Sequence, residues 1–170
     1  RYNTESGLSA KDIVRRWPEE KISNILFTLG EERYARRIAR RIAEEREHAP
    51  VETTTHLVKI IRKAVPAAYR HGRIHFATRT FQALRICVND ELEHVAKGIA
   101  GAGTLLASGG RIAVISFHSG EDRIVKELYR QYEKDGLLRR ITKKPVRPKA
   151  VEEIDNPRAR SAKLRVAEKI

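Results

Sequence analysis

The sequence is short of the residues that would indicate several common classes of protein. Its single cysteine, Cys87, excludes a disulfide within the chain, and the six histidines show no zinc-ligand spacing with it. Aromatic residues are 6% of the chain and rarely alternate with basic ones, which argues against stacking platforms for single-stranded nucleic acid. No apolar run reaches membrane-spanning length, and no secretory signal opens the chain. We therefore expect a cytoplasmic protein with no membrane segment and no metal site.

Positive charge is the property that this sequence has in excess. Its 35 lysine and arginine residues outnumber 22 acidic residues, which gives a net charge of +13. An excess of this size predicts a polyanionic partner, foremost a nucleic acid. The competing interpretation is a solvated surface that binds no ligand. The predicted RNA-binding residues lie on one face of a helix and in a later basic segment: Arg36, Arg37, Arg40, Arg41, Lys143 and Lys144.

The first part of the chain predicts a helical module. Residues 8 to about 65 contain four short stretches with apolar residues three and four positions apart. The third predicted helix starts at Glu31, and the helix dipole favours Glu31 and Glu32 in its first turn. Thr54 or Thr55 can cap the fourth helix.

The second half of the chain predicts a mixed α/β arrangement. A long helical pattern covers residues 77–107, with a break expected near 89–91 or at one of the glycines that follow. A β-branched run over 111–117 predicts a central strand that is buried on both faces. A helix over 121–133 and strands over 137–144 and 162–169 complete the prediction.

A polar cluster follows the predicted strand over 111–117. In open α/β sheets ligands bind beyond the carboxyl ends of the strands, so Ser116, His118 and Ser119 are the candidate catalytic residues. Ser119 is also a candidate helix N-cap with Asp122 at the third helical position, which explains these two residues without a catalytic role. The Gly-x-Ser-x-Gly motif is absent, which argues against hydrolysis.

The long helical pattern also carries a polar stripe opposite its apolar one. Arg79, Arg85 and Asn89 share this stripe and offer both donors and acceptors of hydrogen bonds. They are candidate RNA-binding residues, because such groups contact bases and phosphates. The alternative is a polar seam between domains.

Several stretches together resemble one family along nearly the whole chain. They include Leu29 to Ala39 and Ala77 to Ile86. The strongest are Asn89 to Leu92, Gly109 to Ser119, Glu121 to Lys126 and Asn156 to Arg165. In this order they resemble the ribosomal small-subunit RNA methyltransferase H family, also called MraW. A composite match of this length is more specific than any single motif in the sequence.

The resemblance implies an enzyme that uses S-adenosylmethionine to methylate the N4 amine of a cytidine in the decoding region of 16S ribosomal RNA, on the small ribosomal subunit. It implies an α/β fold, in which the C-terminal part of a class I (Rossmann-like) methyltransferase sheet is joined to an all-α helical insert. Residues 1–72 would form the insert and residues 73–170 the C-terminal half of the methyltransferase domain. His118 could then accept a proton from the target amine, beside Ser116 and Ser119.

The Gly-x-Gly-x-Gly pattern of a cofactor-binding loop is absent from the sequence. We therefore expect a fragment that lacks most of the cofactor site, is inactive alone and associates with itself through an incomplete sheet. The alternative from a different class is a non-catalytic helical module that binds RNA or DNA. Such a module needs the basic helix but not the strand over 111–117 or its polar tip.

Overall fold

The computed structural model of the chain describes residues 7–170, which form two compact units divided between Glu91 and Leu92. The helical unit contains α1 (Ala10–Arg16), α2 (Glu19–Thr28), α3 (Ala35–His48), α4 (Thr54–Ala64), α5 (Ala67–Arg70) and α6 (Thr78–Asn89). The sheet unit follows with α7 (Glu91–Leu105), β1 (Arg111–Ser116), α8 (Ser119–Lys134), β2 (Leu138–Arg140), α9 (Ala150–Asp155), a 3-10 turn (Pro157–Ser161) and β3 (Lys163–Lys169). The fold is mixed α/β, as predicted. Within residues 7–170, every helix is too short or too polar to cross a membrane.

The helical unit is built around one apolar core. α2 buries Ile22, Ile25 and Leu26, the stripe that the spacing of its apolar residues predicts. α3 packs against both α2 and α4, and its buried face contains Ile38 and Ile42. The opposite faces of these helices therefore remain available for charged side chains.

The turn between α2 and α3 differs from the prediction. α3 begins at Ala35 rather than at Glu31, so neither Glu31 nor Glu32 lies in its first turn. Glu31 adopts a positive φ of 50° and the Glu32 side chain is fully buried. The sequence prediction was wrong because it treated both acids as solvent-exposed partners of the helix dipole, whereas the tertiary structure gives Glu32 a partner in α5.

Two further helix boundaries were left open by the sequence and are settled by the structure. Thr53, rather than Thr54 or Thr55, caps α4, because its hydroxyl accepts the His56 N–H at 3.1 Å. The long helical pattern is broken at Asp90, which has a left-handed φ of 48°. Of the two break positions expected, the structure takes the first, and α7 continues through the later glycines.

The sheet unit contains a three-stranded antiparallel sheet in the order β1-β3-β2. β1 and β2 both pair with β3, so they run in the same direction and α8 connects them. α8 packs against all three strands. Ile112 of β1 and Val125 and Tyr129 of α8 lie in the core of this unit, and the Tyr129 hydroxyl donates to the Ile112 carbonyl at 3.2 Å.

The environment of β1 differs from the one predicted. Within residues 7–170, β1 lies at an edge of the sheet and not at its centre. It buries Ile112 and Ser116 on one face, while Ile115 on the other face is 58% exposed. A β-branched run predicts a strand, but only the elements that pack on each face decide how many faces are buried.

The boundary between the two units also falls later than the boundary at residues 72–73 that the sequence predicted. α6 belongs to the helical unit because it packs against α1 and α2, and its Ala83 and Leu84 side chains lie in the helical core. The assignment of the two units to an insert and to a methyltransferase domain stays a prediction.

α2 and α6 approach each other closely at Gly30. A Cβ atom at this position would lie 2.5 Å from the Arg79 carbonyl oxygen and 3.0 Å from the Ala83 Cβ atom. Backbone atoms cannot move aside as a flexible side chain can. Glycine is therefore required where the end of α2 meets α6.

We expect Gly30→Ala to lower the free energy of unfolding by about 2–3 kcal/mol, because it overpacks this contact. Gly98→Ala is the matched control, since a Cβ there meets open space on α7 and should stabilise the helix by about 0.5–1 kcal/mol. Urea denaturation followed by circular dichroism measures both. Equal stabilities of the two variants would contradict the close approach.

Candidate functional site

The candidate site at the carboxyl end of β1 is organised by the cap of α8. His118 is the N-cap residue, and its Nδ1 atom accepts the Glu121 N–H at 3.3 Å. In return a Glu121 carboxylate oxygen accepts the N–H groups of Phe117 at 2.8 Å and His118 at 3.3 Å. The predicted cap by Ser119 and Asp122 is therefore wrong. Sequence reasoning missed the true cap because histidine is not among the preferred N-cap residues.

The capping bond determines which ring nitrogen of His118 holds the proton. A nitrogen that accepts a hydrogen bond has no proton, so the neutral ring holds its proton on Nε2. Nε2 is buried and lies 3.3 Å from Glu121 Oε1, but it makes no well-aligned hydrogen bond with any group of residues 7–170. His118 thus presents one unsatisfied donor.

The Glu121 carboxylate stays charged beside this ring. Its burial would raise the pKa, but the contact with His118 and the two backbone N–H groups outweigh burial and leave the pKa below its usual value.

The other two candidate catalytic residues have different surroundings. Ser116 is buried, and its hydroxyl donates to the Lys163 carbonyl at 3.4 Å across the sheet. Ser119 is exposed in the first turn of α8. The structure therefore does not join the three polar side chains into one hydrogen-bonded cluster, and among them only His118 has an unsatisfied buried atom.

A buried ion pair holds α8 to the sheet directly beside the cap. Asp122 accepts two hydrogen bonds from the Arg165 guanidinium, at 2.7 and 3.2 Å, and one from the Lys163 ammonium at 3.3 Å. The Arg165 and Asp122 side chains are 7% and 12% exposed. This pair joins two of the sequence stretches that carry the family resemblance, and sequence spacing alone did not predict it.

Ion pairs engage only the second half of the predicted RNA-binding face of α3. Arg40 pairs with Glu44 at 3.0 Å, and Arg41 pairs with Glu44 at 3.3 Å and with Glu45 at 3.0 Å. Glu45 also accepts a hydrogen bond from Lys63 at 3.0 Å. The second half of the basic face is therefore largely neutralised within the protein.

The first half of the same face keeps its charge. Arg36 and Arg37 form no ion pair with a carboxylate of residues 7–170. Arg33 stacks on the rings of Tyr34 and Tyr69, at 4.8 and 4.7 Å from their centroids. The uncompensated charge of α3 is thus concentrated at the helix start.

The buried Glu32 carboxylate fixes this end of α3. It accepts the Tyr69 hydroxyl at 2.9 Å and the Tyr34 N–H at 2.9 Å. Burial, and then the bond to Glu32, raise the pKa of Tyr69 to about 12, so this phenol remains a donor. Sequence reasoning missed this cluster, which only the packing of α5 against the α2–α3 turn creates.

The remaining candidate RNA-binding residues separate into two groups. The polar stripe of α6 is engaged internally: Arg79 donates to the Glu31 carbonyl, Arg85 pairs with Glu91 at 2.8 Å, and the Asn89 amide donates to the Arg85 carbonyl at 2.8 Å. Lys143 and Lys144 lie exposed after β2. The stripe therefore has a structural role, and a role in RNA binding stays a prediction for all five.

The sheet unit, with β1, α8 and the antiparallel β3 between β1 and β2, is the arrangement expected for the C-terminal part of a class I methyltransferase. The MraW methylase family matches residues 1–170. The chain belongs to this family.

Three relatives named ribosomal RNA small subunit methyltransferase H illustrate the similarity. The protein from Synechocystis sp. is 54% identical over 170 residues, which are 100% of this chain and 54% of the relative. The relative from Trichodesmium erythraeum is 51% identical over 100% of the chain and 58% of its own length, and that from Nostoc sp. is 53% identical over 99% and 54%. The chain thus spans about half the length of these relatives.

The Asp122–Arg165 pair makes stability dependent on pH. Burial would raise the pKa of Asp122, but the hydrogen bonds and charges of Arg165 and Lys163 outweigh it and lower the pKa below the usual 3.8. The contribution is therefore complete above about pH 4 and is lost as the pH falls through the folded-state pKa.

We expect Asp122→Asn to lower the free energy of unfolding by about 3 kcal/mol at pH 7, because it leaves Arg165 buried without its counter-charge. At pH 3 the difference from the wild type should be smaller. Urea denaturation at both pH values tests this, with Asp135→Asn as a control at the exposed end of α8. A difference that does not change with pH would contradict the assigned ion pair.

Proposed function

We propose that this chain serves in the methylation of small-subunit ribosomal RNA, at the N4 amine of a cytidine in the decoding region of the 16S molecule. The observation that carries the proposal is the match of the whole chain, at 51–54% identity, to relatives whose name states this class of reaction. Arg36 and Arg37 at the start of α3 have no carboxylate partner within residues 7–170, and they support RNA as the substrate because arginine binds phosphates.

S-adenosylmethionine, the methyl donor that the family implies, would supply a methyl group on a positively charged sulfonium. The cavities lined by residues of the helical unit do not fit this group, since each carries more arginine and lysine than glutamate side chains and the excess positive charge repels a cation. Among the described residues we therefore assign none to the cofactor. The contribution of this chain is instead to position the RNA.

His118 is the residue that we propose acts on the target base. Its Nδ1 atom accepts the Glu121 N–H that caps α8 and is engaged in that bond. The Nε2–H donor is buried beside Glu121 Oε1. In the proposed complex it becomes exposed to the base and holds an acceptor on the cytosine ring, which orients the exocyclic amine for in-line transfer. This proposed role differs from the proton acceptance that the sequence suggested. We propose that Ser119, which is exposed next to His118, contacts the same base, and that the buried Ser116 supports the site from within the sheet.

Two substitutions at His118 separate positioning from capping. In the full-length enzyme, His118→Asn keeps an N-cap acceptor and loses the Nε2 donor, whereas His118→Ala loses both. We expect both variants to lower kcat by at least about tenfold, equivalent to about 1.4 kcal/mol. Only His118→Ala should also lose stability, by about 0.5–2 kcal/mol.

Methylation kinetics on small ribosomal subunits, with the folded fraction measured by circular dichroism, test this expectation. If His118→Asn left kcat per folded molecule unchanged, His118 would be a structural cap only. The rival function, a non-catalytic module that binds nucleic acid, predicts no methyl transfer by the wild-type protein.

A further inference from the structure

A groove of about 810 Å³ separates α2 from the start of α3 within the helical unit. Its two walls differ in chemistry. Phe27, Asn24 and Glu20 belong to the α2 wall, and Arg36 and Arg37 belong to the α3 wall. None of the predicted functional residues outside α3 lies in this groove.

Phe27 is exposed to an unusual degree for an aromatic residue. Its side chain is 66% accessible to solvent, and its ring contacts no other aromatic ring within residues 7–170. An unpartnered ring that faces arginines across the groove offers a surface on which a nucleobase can stack. The sequence argued against such a platform because few aromatic residues alternate with basic ones, but the tertiary structure brings Phe27 of α2 beside the arginines of α3.

The α3 wall supplies the charge that a phosphate requires. Arg36 and Arg37 have no carboxylate partner within residues 7–170, whereas Arg40 and Arg41 one turn later do. Two guanidinium groups without counter-charges attract an anion more strongly than paired ones. The phosphate position is therefore the first turn of α3, not the whole basic face.

The α2 wall excludes a ligand that consists of phosphate alone. The carboxylate of Glu20 repels an anion but accepts hydrogen bonds from the exocyclic amine of a base, and the Asn24 amide can donate or accept. The polar groups of α2 match the edge of a base, the Phe27 ring matches its face, and the arginines of α3 match the phosphates of the same nucleotide. In a duplex the base faces are already stacked, so an unpaired nucleotide fits best.

We propose that the groove between α2 and α3 binds an unpaired nucleotide of single-stranded RNA, with its base on Phe27 and its phosphates on Arg36 and Arg37. This inference rests on the proposed function for RNA as the partner, and it extends that function by stating the form of the RNA and the residues that hold it. Binding here is independent of the methyl donor and of His118.

The experiment measures binding of a fluorescein-labelled single-stranded RNA oligonucleotide to the full chain by fluorescence anisotropy, without the methyl donor. Phe27→Leu should weaken binding about tenfold, and Phe27→Tyr, which keeps a ring, should restore it. Leu105→Ala, at an 88% exposed apolar residue of α7, is the control and should have no effect. The duplex of the same RNA should bind more weakly than the single strand and should not respond to Phe27→Leu.

The salt dependence of binding tests whether Arg36 and Arg37 contact phosphates while the ion-paired Arg40 and Arg41 do not. Arg36→Gln with Arg37→Gln removes two direct phosphate contacts and should reduce the slope of log K against log salt by about 1.4. Arg40→Gln with Arg41→Gln removes the same charge from the same helix and should change the slope much less. Circular dichroism verifies that both double variants fold.

Equal effects of the two double variants, or equal binding by Phe27→Leu and the wild type, would overturn the inference. In that case methylation by the full-length enzyme still decides the proposed function. Conversely, loss of binding in Phe27→Leu supports the groove even if the enzyme were found to methylate another base. An absence of RNA binding by the wild-type chain would overturn the groove proposal as well.

Discussion

The buried carboxylate of Glu32 is the constraint on which the helical unit and its candidate RNA surface depend. A carboxylate that is fully removed from solvent must be hydrogen-bonded, and Tyr69 and the Tyr34 N–H satisfy it. These bonds join the α2–α3 turn to α5 and set the position at which α3 begins. The close approach of Gly30 to α6 secures the same turn from the other side. The place of the arginines on α3 follows from this anchored start.

In both units, some charged or polar groups form pairs within the protein and others lack such a partner. In the helical unit, Arg40 and Arg41 are held by glutamates while Arg36 and Arg37 remain free of carboxylate partners within residues 7–170. In the sheet unit, Arg165 forms a buried ion pair with Asp122, and the adjacent cap leaves one donor of His118 unsatisfied. A net charge of +13 therefore overstates the binding surface, because many of the cations hold the fold together.

Sequence reasoning was most successful where local periodicity dominates. It predicted the stripes of α2 and α4, the break near Asp90 and the strand that became β1, since apolar spacing and turn residues act within a few positions. It failed for the start of α3 and for the cap of α8. At both places a side chain has a partner or a capping role that local preferences do not predict, Glu32 with Tyr69 and His118 with Glu121.

The sequence by itself determined the mixed α/β class, the family and the basic character, because these depend on composition, periodicity and ordered motifs. Only the tertiary structure decided which arginines are paired, which nitrogen of His118 is unsatisfied and that Phe27 lies beside Arg36 and Arg37. The physical reason is that each of these depends on contacts between residues distant in the chain or on the direction of a hydrogen bond. Neither is encoded in the spacing of residue types along one segment.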